Sequence, residues 1–291
     1  MYGGPSQVDT FDYKPLLAKL DGQDMLASFR KSDRVGAATG STDKLMAGPW
    51  KWKQHGKSGL WVSDLLPRTA EHADDLCVVR SMQSESSNHA PATYQMNTGA
   101  TITGEPSMGS WITYGLGSEN QDLPGYILLF KVAGLGGSAN WGNAFLPAAF
   151  QGTPFRHEGP PVLDLDPPGE LASTQRSTID LIQGLNRRHR EARRGGPRDL
   201  DGRIASYELA YRMQSRAMEV GDLGQESPET LALYGLDADN KDTATFGRMC
   251  LLSRRMVEMG VRFVQIYNAV DKLGWDSHDN NEEKSPQRRA D

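Results

Sequence analysis

Cysteine is scarce in this sequence, with only two such residues, Cys77 and Cys250, among 291. Two cysteines cannot build the disulfide framework of a small secreted domain, and these two do not show the C-x-x-C spacing of a zinc ribbon. Both lie within apolar stretches, which predicts buried free thiols. The sequence therefore excludes disulfide-stapled and zinc-ribbon folds.

Long hydrophobic runs and an excess of positive charge are also lacking. The longest apolar run is 126–130, whereas a membrane-spanning helix needs ~18 such residues. The 32 basic residues are outnumbered by 37 acidic ones, and the net charge of −5 disfavours nucleic acid and anionic lipid as partners. With 37% hydrophobic and 24% charged residues, the composition is that of a globular protein. We therefore expect a folded core, no membrane span and no nucleic-acid function.

Both ends of the chain have an unusual composition. The start, Gly3-Gly4-Pro5-Ser6, has the composition of a turn in place of the basic, apolar and cleavage-site regions of a secretory signal. We therefore expect this start to be internal to a longer gene. At the other end, 280–291 contains no apolar residue except Ala290, which predicts a disordered tail.

Between the ends, hydrophobic periodicity predicts alternating helices and strands, the pattern of an α/β fold. The predicted helices before the middle of the chain are 63–73, 91–99 and 107–116, and the predicted strands are 76–79, 126–132 and 261–267. Glycine and proline in 134–169 predict loops. The section 178–259 is predicted to be helical, and Gly195-Gly196-Pro197 predicts a flexible connection between the sheet-containing part and the late helices.

Three patterns resemble nucleotide-binding or nucleic-acid-binding motifs, but each lacks features that the motif requires. His55-Gly56-Lys57-Ser58 copies the end of a P-loop, but the position of its first glycine is Lys51 and no strand precedes it. The segment 134–139 lacks the third glycine of a dinucleotide-binding turn. The basic run 187–198 has no interleaved aromatic residues, and the acidic residues Glu191, Asp199 and Asp201 share the segment, which favours a solvated helix end. A basic-helix adaptor is the alternative that remains open.

Three separated segments carry the most specific information. They are Gly3-Gly4-Pro5-Ser6-Gln7-Val8-Asp9-Thr10-Phe11-Asp12, then Ser87-Asn88-His89-Ala90-Pro91 with Thr98-Gly99, and Gly274-Trp275-Asp276-Ser277-His278-Asp279-Asn280. In this order, and with 70–82, they resemble the bacterial family catalogued as domain of unknown function 1501, a branch of the alkaline phosphatase and sulfatase superfamily. The resemblance covers nearly the whole chain.

The resemblance implies the fold and the location of the protein. The fold would be one α/β domain over 1–279 with an alkaline-phosphatase-like sheet flanked by helices, incomplete at both termini. Relatives continue beyond the Trp-Asp-x-His segment into further strands, which this chain does not contain before Asp291. The family resemblance also suggests export to the periplasm or cell surface, with the signal segment missing here.

His89 is the candidate catalytic residue that the resemblance implies. In sulfatases and alkaline phosphatases the nucleophile stands nine residues before the threonine of a Thr-Gly pair, and nine residues before Thr98 is His89. The chain departs from the pattern because it has no serine, threonine or cysteine there. An imidazole can ligate a metal, attack phosphorus or, when protonated, pair with an anion. Helix-start amides beside Asn88 and His89 favour a bound anion, and a locally hydrogen-bonded histidine is the alternative.

The resemblance also implies a divalent metal: zinc, manganese, calcium or iron. Asp276 and His278, two residues apart beyond the last strand, can converge on one ion, although solvated Asp-x-His loops are common. Asp9 and Asp12 lie near the position of the superfamily's first-strand aspartates, where this chain has Gly3-Gly4. These four residues are the candidate ligands.

Two functions remain open at this point. The intact protein would be a metal-dependent hydrolase of sulfate or phosphate esters, with an anionic ester or glycan as substrate and the chain alone inactive. Alternatively, a protein of the same fold would bind an anion, a glycan or a partner without catalysis, which the missing nucleophile favours.

Overall fold

A computed structural model of the chain describes residues 4–24, 44–86, 88–133, 136–163, 165, 169, 173–192, 199–268 and 275. The chain divides into two compact units, Met1–Ser87 with Leu273–Asp291, and Asn88–Lys272. Both units mix helices with small sheets. The predicted tail 280–291 and the predicted flexible connection at 195–197 lie outside the described residues.

The first unit is built around a β-hairpin. Strand β1 (Trp52–His55) pairs antiparallel with β2 (Leu60–Ser63), and short helices α1 (Pro15–Lys19) and α2 (Pro67–Glu71) lie on either side in sequence. Gly56 and Gly59 have φ values of +63° and +66° in the turn, a conformation that glycine adopts without strain. The buried residues of this unit's hydrophobic cluster are Val62, Leu65, Leu66 and Ala70.

Three sequence predictions in this region are wrong. The helix predicted over 63–73 is confined to α2, because Ser63 belongs to β2 and Pro67 sets the helix start. The predicted strand 76–79 is not formed, and a short apolar run without alternation does not by itself identify a strand. Cys77, which lies in that run, is exposed and therefore not a buried thiol, whereas Cys250 is half-buried and burial raises the pKa of its thiol.

The second unit contains a parallel three-stranded sheet in the order β4-β3-β5. Strand β3 (Tyr126–Phe130) is central, with β4 (Thr153–Phe155) and β5 (Phe263–Tyr267) as its neighbours. The first four residues of β3 are buried, as expected for a parallel strand covered on both faces. The two predicted strands 126–132 and 261–267 are therefore confirmed, each slightly shortened.

Six helices of the second unit are described. They are α3 (His89–Thr98), α4 (Met108–Leu116), α5 (Gln175–Ala192), α6 (Asp199–Gly221), α7 (Pro228–Leu233) and α8 (Lys241–Glu258). Side chains of Ser107, Ser227 and Asn240 cap α4, α7 and α8, because each accepts a hydrogen bond from a first-turn amide. Within the section 178–259, the described residues form α5 to α8, with non-α-helical segments at 222–227 and 234–240.

Alternation along β3 gives the sheet two different faces. Ile127 and Leu129 point to a large cluster that includes residues of α6 and α8, whereas Tyr126 and Leu128 pack with Trp141 on the other face. Helices α6 and α8 therefore cover one face of the sheet, and the predicted mixed α/β class is confirmed. No helix among the described residues is both long and apolar enough to cross a membrane.

Candidate functional site

The first turn of α3 carries Asn88 and His89, the two residues that the sequence singled out. Asn88 is the N-cap, and its side-chain oxygen accepts a hydrogen bond from the Ala90 amide at 3.2 Å. His89 is the first helical residue and is half-buried. The helix begins two residues before the predicted start at Pro91, since proline is tolerated within a first turn whose amides have no helical partner.

The far end of α3 is closed as predicted. Gly99 adopts φ +84° and its amide donates to the Gln95 carbonyl at 2.8 Å. Two hydroxyls of the helix are used internally: Thr93 donates to the His89 carbonyl at 2.7 Å, and Thr98 donates to the Tyr94 carbonyl at 2.9 Å. These hydroxyls support the helix backbone and are therefore not available as free nucleophiles.

Asn97, near the end of α3, ties the helix to the sheet. Its side-chain oxygen accepts a hydrogen bond from the side-chain amide of Gln265, in β5, at 2.7 Å and one from the Tyr267 hydroxyl at 3.5 Å. Its side-chain nitrogen donates to the Thr93 carbonyl at 2.8 Å. Gln265 in turn accepts from the Tyr126 hydroxyl of β3 at 2.5 Å. A polar chain thus runs from the centre of the sheet to the helix that carries His89.

Tyr126 and Tyr267, the two tyrosines of the polar chain, are neutral and donate hydrogen bonds. Burial raises the pKa of the Tyr126 phenol and of the Tyr267 phenol well beyond its ordinary alkaline value. Tyr126 also packs edge-on against Phe263 with ring centroids 5.2 Å apart. The hydroxyls are therefore held at fixed positions, and so is Asn97.

Sequence reasoning missed this polar chain. Its only local signal is Gln265, a polar residue in the middle of the otherwise apolar strand 263–267. The partners of Gln265 lie 168 and 139 positions away along the chain. A single sequence gives no measure of such pairings.

Asp9 and Asp12, the other described candidates, lie in the first unit and differ in their surroundings. One carboxylate oxygen of Asp9, Oδ1, is buried and has no hydrogen-bond partner among the described residues. Gly48 lies directly against this oxygen, since a Cβ added at Gly48 would overlap Oδ1. Asp12 is paired with the Lys14 ammonium at 3.0 Å. Asp9 is therefore the better candidate ligand, since a buried unpaired carboxylate oxygen is an atom that a cation would satisfy.

A complete metal site is not assembled by the described residues, among which no three His, Cys, Asp or Glu side chains cluster. Asp276 and His278 lie outside the described residues. Asn88 and His89 are brought together at one helix start, and Asp9 and Asp12 belong to the other unit. The carboxylate chemistry of Asp9 fits a divalent cation.

The segment 55–58, which resembles the end of a P-loop motif, lies at the turn of the β1–β2 hairpin. The amides of Lys57 and Ser58 donate to the Asp74 carboxylate at 2.9 and 2.7 Å. These hydrogen bonds lower the pKa of Asp74. A carboxylate of the chain itself thus occupies the amides that a P-loop would offer to phosphate.

Comparison with known proteins gives a family but no activity. The family described as "Protein of unknown function (DUF1501)" matches residues 1–291. No curated protein and no solved structure matches the chain.

Proposed function

The chain belongs to the DUF1501 family of proteins of unknown function, and on that premise we propose that the intact protein is a metal-dependent hydrolase of phosphate or sulfate esters. The start of α3 would hold the anionic group of the ester. His89 would contact that group, and Asn88 would keep the first-turn amides in place.

The observation that carries this proposal is the fixation of α3 at both ends. Asn88 caps the first turn, and Asn97 is hydrogen-bonded to Gln265 of the sheet at 2.7 Å. First-turn amides and the positive end of the helix dipole attract a phosphate or sulfate group. Because the helix is anchored to β3 and β5, these donors need little reorganisation when the ester binds.

The unpaired carboxylate oxygen of Asp9 supports the metal requirement. When bound, a divalent metal would supply the Lewis acid that such a hydrolysis needs. Asp9 would be one ligand, and Asp276 and His278 are the further candidates, because carboxylate and imidazole suit zinc, manganese and iron. Asp12 is the weaker candidate because it is neutralised by Lys14.

A second candidate function is binding of an anion or glycan without catalysis. It is favoured by the side chain at position 89, which is an imidazole rather than the hydroxyl or thiol of a sulfatase or phosphatase nucleophile. The hydroxyls of Thr93 and Thr98 do not replace it, since both donate to backbone carbonyls of α3.

The test is hydrolysis of p-nitrophenyl phosphate and p-nitrophenyl sulfate by the intact protein, first after chelation and then with zinc, manganese or calcium restored. We expect metal-dependent turnover that His89→Ala abolishes while the melting temperature stays nearly unchanged. His72→Ala, a change of another histidine whose side chain is 72% exposed, is the matched control.

The other outcomes distinguish the hydrolase from the non-catalytic binding protein and test the assignments of His89 and Asp9. Binding of the ester that is lost in His89→Ala, without turnover under any metal, would support the non-catalytic candidate. A large drop in melting temperature with unchanged binding would identify His89 as a structural residue and refute its assignment to the site. Asp9→Asn is expected to weaken metal binding more than Asp12→Asn, and equal effects would remove Asp9 from the ligand set.

A further inference from the structure

A cavity of about 490 Å³ lies in the second unit at the carboxyl end of two parallel strands. Lys131 in its wall directly follows β3, and His157 and Glu158 follow β4 by two and three residues. In open α/β sheets, ligands bind outside the carboxyl ends of the strands. The volume falls within the ~300–1,000 Å³ range of small-molecule sites.

The remaining wall is one face of α8. Lys241, Ala244, Thr245 and Arg248 line the cavity, and their spacing of three, four and seven residues places them on the same side of the first two turns. Lys241 and Arg248 form no ion pair with any other residue in the part of the chain that the structure describes. Two uncompensated cations therefore face the same space.

The other charged groups of the cavity are partly compensated. Lys131 pairs with Asp242 at 3.0 Å, and both side chains remain substantially exposed. The His157 imidazole, whose side chain is 16% exposed, lies 3.9 Å from the Glu158 carboxylate, which is 70% exposed. Lys131, Lys241 and Arg248 are thus opposed by the Glu158 carboxylate of the lining and by Asp242 beside Lys131. The remaining excess of positive charge favours an anion.

We propose that this cavity binds a small organic phosphate monoester. The dianionic phosphate group contacts Lys241 and Arg248, which reach it from one helix face, and Lys131 approaches from the end of β3. Arg248 suits a phosphate because its guanidinium can donate two parallel hydrogen bonds. Leu236 and Ala244 supply an apolar wall for the organic part.

This inference does not depend on the proposed hydrolase function, because it uses neither His89 nor a metal. The residues come from three separate segments, the ends of β3 and β4 and the start of α8. A solvated basic helix face would not enclose a cavity against two strand ends. The amides at the start of α8 add a favourable field for the same anion.

The test is calorimetric titration of the full chain with phenyl phosphate at fixed ionic strength in the presence of a chelator. Inorganic phosphate, phenyl sulfate and phenol are titrated in parallel. We expect phenyl phosphate to bind more tightly than inorganic phosphate, which lacks the organic group, and than phenyl sulfate, which carries a single charge. Phenol should show no measurable binding.

Charge-removing variants locate the site. Lys241→Gln and Arg248→Gln should each weaken phenyl phosphate binding about tenfold, as expected for loss of one charge-assisted hydrogen bond. Lys53→Gln and Arg68→Gln remove the same charges from exposed positions of the first unit and should leave the affinity unchanged. The same titration of His89→Ala separates the two sites, because binding that persists in this variant and is weakened by Lys241→Gln belongs to the cavity.

The proposal would be overturned by the absence of binding at millimolar phenyl phosphate, or by equal losses in the cavity variants and the control variants. Lys241 is exposed at the first position of α8, so Lys241→Gln is expected to fold even if Arg248→Gln does not. Loss of binding in His89→Ala would assign the phosphate to the α3 site instead.

Discussion

At the residue scale, Gln265 is the side chain on which the anchoring of α3 depends. It accepts a hydrogen bond from Tyr126 and donates one to Asn97. The local sequence does not predict this hydrogen-bonding role, because a glutamine within an apolar strand usually indicates only an edge strand or an exposed face. Here both of its amide atoms are used inside the fold.

We predict that Gln265→Leu lowers the free energy of unfolding by about 1–3 kcal/mol, because it leaves the Tyr126 hydroxyl and the Asn97 oxygen without their principal partner. Urea unfolding measures the change. Gln151→Leu, at an exposed loop position, is the matched control and should have little effect. If the two variants are equally stable, the polar chain does not hold α3 in place.

At the element scale, α8 is joined to the segment before α7 by an ion cluster. Glu226 accepts from Arg255 at 2.7 Å and from Arg254 at 2.7 and 2.8 Å. Arg255 is 9% exposed and also donates to the carbonyls of Glu219 and Val220. Each of the three guanidinium nitrogens of Arg255 therefore donates a hydrogen bond, and Glu226 is its only anionic partner among the described residues.

The cluster gives a testable pH dependence. Hydrogen bonds from Arg254, and then from Arg255, lower the pKa of Glu226. A carboxylate whose pKa is lowered by folding stabilises the fold at pH values above its pKa in the unfolded state, which is near 4.3. This contribution is lost as the pH falls below that pKa. We predict that wild-type protein loses more stability between about pH 5 and pH 3 than Glu226→Gln does.

Melting temperatures of the two proteins across that range test the prediction. Glu119→Gln, at an exposed position, is the control and should retain the wild-type pH dependence. Glu226→Gln should also be less stable than wild type at pH 7, because it leaves Arg255 without an anionic partner. Parallel pH curves for all three proteins would contradict the assigned role of Glu226.

The elements themselves were predictable to different degrees. Helix α4 and strand β3 were predicted almost to the residue, since Ser107 is a strong N-cap and 126–130 is a continuous apolar run. The prediction failed at 63–73, where the pairing of β2 with β1 overrides an apparent helical pattern. Local signals specify caps and buried strands, but they do not reveal which partner a segment will pair with.

At the scale of the whole molecule, the sequence specified the family better than the site. The three separated motifs identified DUF1501, and the family match over 1–291 confirms it. The start of α3 was predicted to within two residues, because Pro91 is a local signal. The Asn97–Gln265–Tyr126 chain and the cavity beside α8 were not, because their residues meet only in the folded sheet.

The division into two units is a further property of the whole molecule. The buried cluster of the first unit has four described residues, and the large cluster of the second has fourteen. Since apolar burial is the main favourable term in folding, the described part of the first unit has a smaller stabilising core than that of the second. Val62 and Leu251, each 0% exposed, belong to the two different clusters.

We predict that the two units respond separately to core truncation. Val62→Ala should speed hydrogen exchange in 52–71 and leave 126–130 and 249–256 nearly unchanged, because its cavity opens in the hairpin cluster alone. Leu251→Ala should do the reverse and cost the second unit about 2–5 kcal/mol. Exchange measured by mass spectrometry on both variants and wild type resolves these segments. If either variant accelerates exchange equally in both units, the chain unfolds as a single cooperative body and the two cores are energetically one.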